Sequence, residues 1–246
     1  MEKITIAITA ASYNGNKGAA AMLQSSIKQL YARYGEALRI NLMSTYPEGD
    51  KRLKPFDFIN IVSAKPEQLV FIAFPLAVLY WLFRWFKPIK SLILKNKILK
   101  AYSQTDLVVD EAGISFVDSR GFVMNTYAFI CAAVPLLVGT PVVKYSQALG
   151  EFKNPYNRFL AKWILPKLKL ICARGEITLK NLEGIGVAAN VKMCADGAFS
   201  MPDDESVAEQ VLTLVQSDSF YAGKVISLSI SSVDQKKCIK LRINYA

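Results

Sequence analysis

Alternation is the feature that most constrains what this chain folds into. Short β-branched or apolar runs occur at 3–10 ("KITIAITA"), 38–45, 56–64, 106–113, 141–150, 168–175 and 190–199. Most end in small or polar residues, and helix-like stretches such as 18–34, 123–137 and 154–165 lie between many of them. Strands alternating with helices predict an α/β fold, a Rossmann-like parallel sheet with flanking helices. Ligands of such sheets bind beyond the carboxyl ends of the strands. The polar tips of these runs are therefore the places to look for chemistry.

The alternation places a Rossmann-like domain at 1–200. A polar, acidic linker and helix follow at 201–223, beginning "MPDDESVAEQ". Residues 224–246 then read as the start of a second α/β unit, with "GKVISLSISSVD" as its first strand and loop. One strand cannot satisfy its backbone or bury its faces unless it joins a sheet. The expectation is a truncated chain.

Two absences narrow the chemistry. There is no histidine, which excludes a Ser-His-Asp triad, an H-E-x-x-H zinc site and a histidine general base. Cys131, Cys172, Cys194 and Cys238 are far apart without C-x-x-C spacing, so they read as free thiols with no metal site. The N-terminus lacks signal-peptide character, and the cytoplasm is the expected compartment.

The net charge of +10 calls for an acidic partner. Arg84, Lys87, Lys90, Lys95, Lys97 and Lys100 cluster beside the most apolar segment, "LVFIAFPLAVLYWLFRWF" at 69–86. That segment falls slightly short of the roughly 20 apolar residues of a spanning helix. It reads as a helix lying on a membrane, as a buried core or partner-binding helix, or as a span. Trp81 and Trp85 beside cations favour peripheral membrane contact through 69–100, at the inner face. The following "KPIKSLILKNKILK" suits a surface-bound helix or an ordinary amphipathic helix packed on the sheet. Cations interleaved with aliphatic residues, without a recognised motif, argue against nucleic acid.

Each candidate motif taken alone has two readings. In "SYNGNKGAAAML", Asn14, Asn16, Lys17 and Gly18 form a strand-to-helix loop that either cradles an anion on helix N–H groups or simply makes a tight turn. In "DEAGISFVDSRG" (110–121), Asp110, Glu111, Asp118 and Arg120 hold a polar substrate or face solvent. Arg174 and Glu176 in "ARGEIT" suit carboxylate or phosphate recognition, or a strand-end ion pair with Glu176 favoured by the helix dipole. Asp196 in "CADGAF" shares this ambiguity.

In order, "NGNKGAAAML", "DLVVDEAGISFVDSRG", "KYSQALGEFKNP", "ICARGEITLKNLEGIGV" and "CADGAF" are more specific. The series resembles the polysaccharide pyruvyl transferase family over about residues 3–232. The resemblance implies two Rossmann-like domains in a GT-B-like arrangement, of which this chain carries the N-terminal half. It implies transfer of pyruvate from phosphoenolpyruvate, a donor substrate rather than a cofactor, to a saccharide acceptor of a surface polysaccharide or its lipid-linked precursor. Asn14, Asn16, Lys17 and Gly18 would line the cleft. Arg174 would hold the phosphate or carboxylate of the donor, with Asp118, Arg120, Gln147, Glu176 and Asp196 as further binding candidates. The catalytic residues stay unassigned. The family's second domain carries a basic motif, usually with histidine, and this chain has none, so inactivity in this form is expected. A nucleotide-sugar glycosyltransferase of GT-B type and a non-catalytic, membrane-associated remnant are the competing readings.

Overall fold

The computed structural model describes residues 3–200, together with Glu209 and Thr213. The readings for 201–246, Cys238 included, otherwise lie outside the described residues. Contacts divide the chain into Met1–Met201 and Pro202–Ala246, and the first unit is the α/β domain described below.

Each of the seven sequence runs contains a strand. The elements are β1 (Ile4–Thr9), α1 (Lys17–Tyr34), β2 (Leu38–Ser44), α2 (Pro47–Leu53), β3 (Ile59–Ser63) and α3 (Pro66–Leu82). Then come α4 (Lys87–Ile93), α5 (Lys97–Ser103), β4 (Leu107–Asp110), β5 (Ile114–Ser115) and α6 (Gly121–Leu137). The last are β6 (Val142–Leu149), α7 (Pro155–Ile164), β7 (Leu170–Arg174), α8 (Gly175–Gly184) and β8 (Val191–Cys194). The sheet order is β3-β2-β1-β4-β6-β7-β8, with parallel pairing throughout. The two-residue β5, too short to leave a sequence signal, pairs with Ala148 and Leu149 of β6. The run at 190–199 stops early as a strand because Gly197–Ser200 turns into a 3-10 helix.

Alternating side chains divide the core between the two faces of the sheet. Ile6 and Ile8 of β1 join Leu23 and Ile27 of α1 on one side. On the other, Ala7, Val108 and Val142 meet residues of α3 to α8, the larger of the two apolar clusters. Leu23 and Ile27 are 0% exposed, and each such burial stabilises by roughly 2 kcal/mol.

Segment 69–100 belongs to the crossover from β3 to β4. Leu69, Ala73, Ala77, Tyr80, Ile93 and Leu99 are buried in the larger cluster, so its inner face is core. Helix α3 is 17 residues long, below the roughly 20 apolar residues of a typical span. Its second turn widens into a π-turn, Leu69–Ala73, where the Phe74 N–H reaches the Leu69 carbonyl. The widening fits Pro75, whose ring cannot donate and crowds a regular α-turn. One helix among the described residues, Asp118–Leu137, is long and apolar enough to cross a membrane by length and composition. It contains α6, which packs on α3, α7 and the sheet, and 44% of its apolar window is buried.

Candidate functional site

From β1 the chain runs outward to β2 and β3, then returns to place β4 on the other side of β1. The loops leaving β1 and β4 therefore diverge, and a crevice opens between them at the carboxyl ends of the strands. A cavity of about 600 Å³ occupies this position. Its walls include Ala10, Asn14, Asn16 and Gly18 from the first loop, Asp110 and Gly113 from the second, and Arg120, Arg174 and Asp196.

The first loop is held from below by an acid outside the sequence-derived candidates. Asp50 of α2 is 0% exposed. Its Oδ1 accepts hydrogen bonds from Ser12 Oγ (2.8 Å), the Tyr13 N–H (2.8 Å) and the Asn14 N–H (3.0 Å), while Ser44 Oγ donates to Oδ2. Asn14 also lies so close to Gly49 that a Cβ there would meet its Cγ at 2.5 Å. Asp50 follows β2 in "STYPEGD", where nothing distinguishes it from an exposed first-turn acid. Asp50→Ala strands three donors in the loop, and a loss of about 3 kcal/mol is expected in urea unfolding. A loss below about 1 kcal/mol would mean that the loop does not depend on this anchor.

Asn16 caps α1. Its Oδ1 accepts from the Gly18 N–H (2.8 Å) and the Ala19 N–H (3.2 Å). Those two amides are thereby occupied, so the helix start does not present them free to an anion. Lys17 is exposed at the first helical position and does not line the cavity.

Behind the second loop lies a buried polar network. Lys144 of β6, 0% exposed, donates from Nζ to Asp110 Oδ2 (2.5 Å) and Gln147 Oε1 (3.1 Å). Gln147 Nε2 donates to the Asp110 carbonyl (2.6 Å) and to its Oδ1 (2.9 Å). Ser115 Oγ donates to Gln147 Oε1 (2.7 Å), and the Lys144 ammonium lies 5.2 Å from the centre of the Phe116 ring. Lys144 and Gln147 are three residues apart, so a regular strand would point them to opposite faces. The register of β6 shifts between them, and Ser146 adopts φ +52°, which brings both side chains to Asp110. Ala10 (φ +60°) and Phe116 (φ +51°) are also left-handed, and both line the cavity. Such non-glycine conformations cost about 1 kcal/mol or more each and gather at functional sites.

Arg174, at the end of β7, donates from Nη1 to Asp196 Oδ2 (2.5 Å) and from Nη2 to the Gly113 carbonyl (3.0 Å). Its side chain is 26% exposed, toward the cavity it helps to line. Arg120 lines the same cavity with no acidic partner in salt-bridge range among the described residues.

The remaining candidates are engaged elsewhere. Asp118 Oδ2 accepts from the Lys153 and Asn154 N–H groups, and its Oδ1 from Asn157 Nδ2, tying down the loop before α7. Glu176 faces solvent beside Lys180 (3.7 Å). Thus six of the ten binding candidates that the family resemblance gave line the cavity, Asn14, Asn16, Gly18, Arg120, Arg174 and Asp196, and so does Asp110. Gln147 supports it from behind, whereas Lys17, Asp118 and Glu176 do not border it.

Glu111 stands apart. It is 1% exposed, and neither carboxyl oxygen has a hydrogen-bond partner among the described residues. Burial pushes its carboxyl up to about 8, the Asp110 charge adds to the rise, and the nearby Ser26 hydroxyl, outside hydrogen-bond geometry, opposes it. The folded state keeps this proton to about pH 8, whereas a free carboxyl loses it near 4.5. Its contribution is complete below 4.5 and is lost as pH rises through 8, so stability falls with pH by up to about 1.4 kcal/mol per unit. Glu111→Gln, neutral throughout, should flatten that slope and be the more stable protein at pH 9. Urea unfolding of both proteins between pH 5 and 9 tests this, and parallel curves would refute it.

The fold and site together are those of a Rossmann-like α/β domain with an arginine-bearing cavity at its switch point. The residue pattern of the polysaccharide pyruvyl transferase family matches residues 16–235, and the chain belongs to that family. Among curated proteins none matches it.

Proposed function

We propose that this domain binds phosphoenolpyruvate in the switch-point cavity for transfer of its pyruvyl group to a saccharide. The carrying observation is Arg174, preset at the cavity wall by Asp196 and the Gly113 carbonyl. Two of its five N–H donors are used, leaving the others for a carboxylate or phosphate. Arg120 adds a cation without an acidic partner among the described residues, while Asp110 is neutralised by Lys144.

The reaction balances without a cofactor. Two acceptor hydroxyls form bonds to C2 of phosphoenolpyruvate, C3 takes up one proton, and the C2–O bond to phosphate breaks. The second hydroxyl proton leaves with phosphate. Cations at the departing phosphate favour this step, because negative charge accumulates there.

Ligand-dependent thermal unfolding tests the proposal. Phosphoenolpyruvate at about 100 times its dissociation constant stabilises by about 2.7 kcal/mol, a rise of several degrees for a domain of this size. Stabilisation by a nucleotide sugar and not by phosphoenolpyruvate would transfer the assignment to a glycosyltransferase. No response to either would leave a non-catalytic module.

A further inference from the structure

We propose that the turn between α3 and α4 is an anchor that seats in the interface of an anionic lipid bilayer. Residues 81–88, "WLFRWFKP", are all exposed, and five of them are large and apolar. Trp85 is 78% exposed and Phe86 54%. The helices on either side are fastened to the core by Ala77, Tyr80 and Ile93, so the turn projects from a rigid base. A contiguous apolar surface of this kind marks an interaction site.

Charge selects the occupant. No acidic residue occurs between Glu67 and Asp106, whereas six cations do, from Arg84 to Lys100. The Arg84 guanidinium lies 4.4 Å from the Trp85 ring centre and 5.9 Å from that of Trp81, and Lys90 Nζ lies 5.0 Å from that of Tyr80. Aromatic rings beside cations match the headgroup level of a bilayer, where rings enter the acyl boundary and cations meet phosphate. A groove of about 380 Å³ behind the turn, walled mainly by Leu76, Leu79, Phe83, Ile89, Leu92 and Ile93, accepts hydrocarbon. A second copy is a poor occupant, because a two-fold contact would set this cationic face against itself. The surface does not depend on the identity of the donor substrate.

Removing the whole segment would delete part of the core, so surface substitutions are the appropriate test. Binding of the full chain to vesicles of phosphatidylcholine with phosphatidylglycerol is compared with binding to phosphatidylcholine alone. At least tenfold tighter binding to the anionic vesicles, weakened by salt, is expected. In a Trp163→Phe background, the emission of Trp81 and Trp85 should move to the blue on binding. Trp85→Ser with Phe86→Ser should weaken binding at least tenfold. Arg84→Gln, Lys87→Gln and Lys95→Gln together should weaken it about a hundredfold, at about fivefold per neutralised cation near the surface. All of these positions are exposed, and each variant should keep the parent's unfolding temperature. Absence of vesicle binding overturns the proposal, as does binding unaffected by either set. A lipid-free dimer that Trp85→Ser and Phe86→Ser dissociate would assign the face to a second copy instead.

Discussion

Lys144→Met lowers the unfolding midpoint by roughly 10 °C. The substitution keeps the volume and removes the ammonium, which leaves the Asp110 carboxylate without its cation at a site where Lys144 is 0% and Asp110 1% exposed. Breaking a buried pair by removing one partner costs about 3–5 kcal/mol, and each kcal/mol shifts the midpoint of a domain this size by about 2–4 °C. Gln147 and Ser115 would also lose a donor, so the second loop should loosen as the protein destabilises. Adding Asp110→Asn should recover part of the loss, because the double variant buries no lone charge. The double-mutant cycle, read by calorimetry, separates this from simple overpacking. A midpoint within 2 °C of the parent would show that the pair contributes little to holding the site.

On the proposed function, Arg174→Lys should weaken phosphoenolpyruvate binding about a hundredfold, on the order of 3 kcal/mol. Lysine keeps the charge and loses the planar fork, and with it the geometry that lets one group bond Asp196, the Gly113 carbonyl and a ligand together. Titration calorimetry with phosphoenolpyruvate is the measurement. Equal affinity would show that the cavity uses only the charge, or that the ligand lies elsewhere. Arg174 immediately precedes α8 and is partly buried in its ion pair with Asp196, so the unfolding temperature of the variant should be measured alongside. Arg120→Gln is the companion variant. It is exposed and unpaired among the described residues, so it tests the cavity's charge without disturbing a structural ion pair.

Much of the cavity was legible because parallel α/β sheets place function at predictable ends. Arg174 and Asp196 each close a recognisable run, and both reach the switch-point cavity. Where reasoning from motifs assigned one role to a polar residue, the fold often had another. Asp118 is occupied by two backbone N–H groups and Asn157, partners some 35 to 39 residues away in the chain. Asn16 spends its side chain on the helix it precedes. Asp50 supports the first loop from another helix, and no local spacing announces a contact across 36 to 38 residues.

By itself the sequence determined the order of strands and helices, the parallel sheet, the strand ends at which the cavity lies, and a cationic, aromatic crossover. These are local properties, written in period, turn residues and charge, and they need no knowledge of what packs against what. Tertiary structure alone decided which side of α3 is core and which is surface, since its apolar residues surround the helix. It also decided that Lys144 and Gln147 share one partner. That depends on a bulge in β6, whose register is set by pairing with β7 and whose left-handed Ser146 reverses the side-chain alternation. A one-residue irregularity of this kind has no periodic trace in the chain, because its stabilisation comes from Asp110, more than thirty residues earlier.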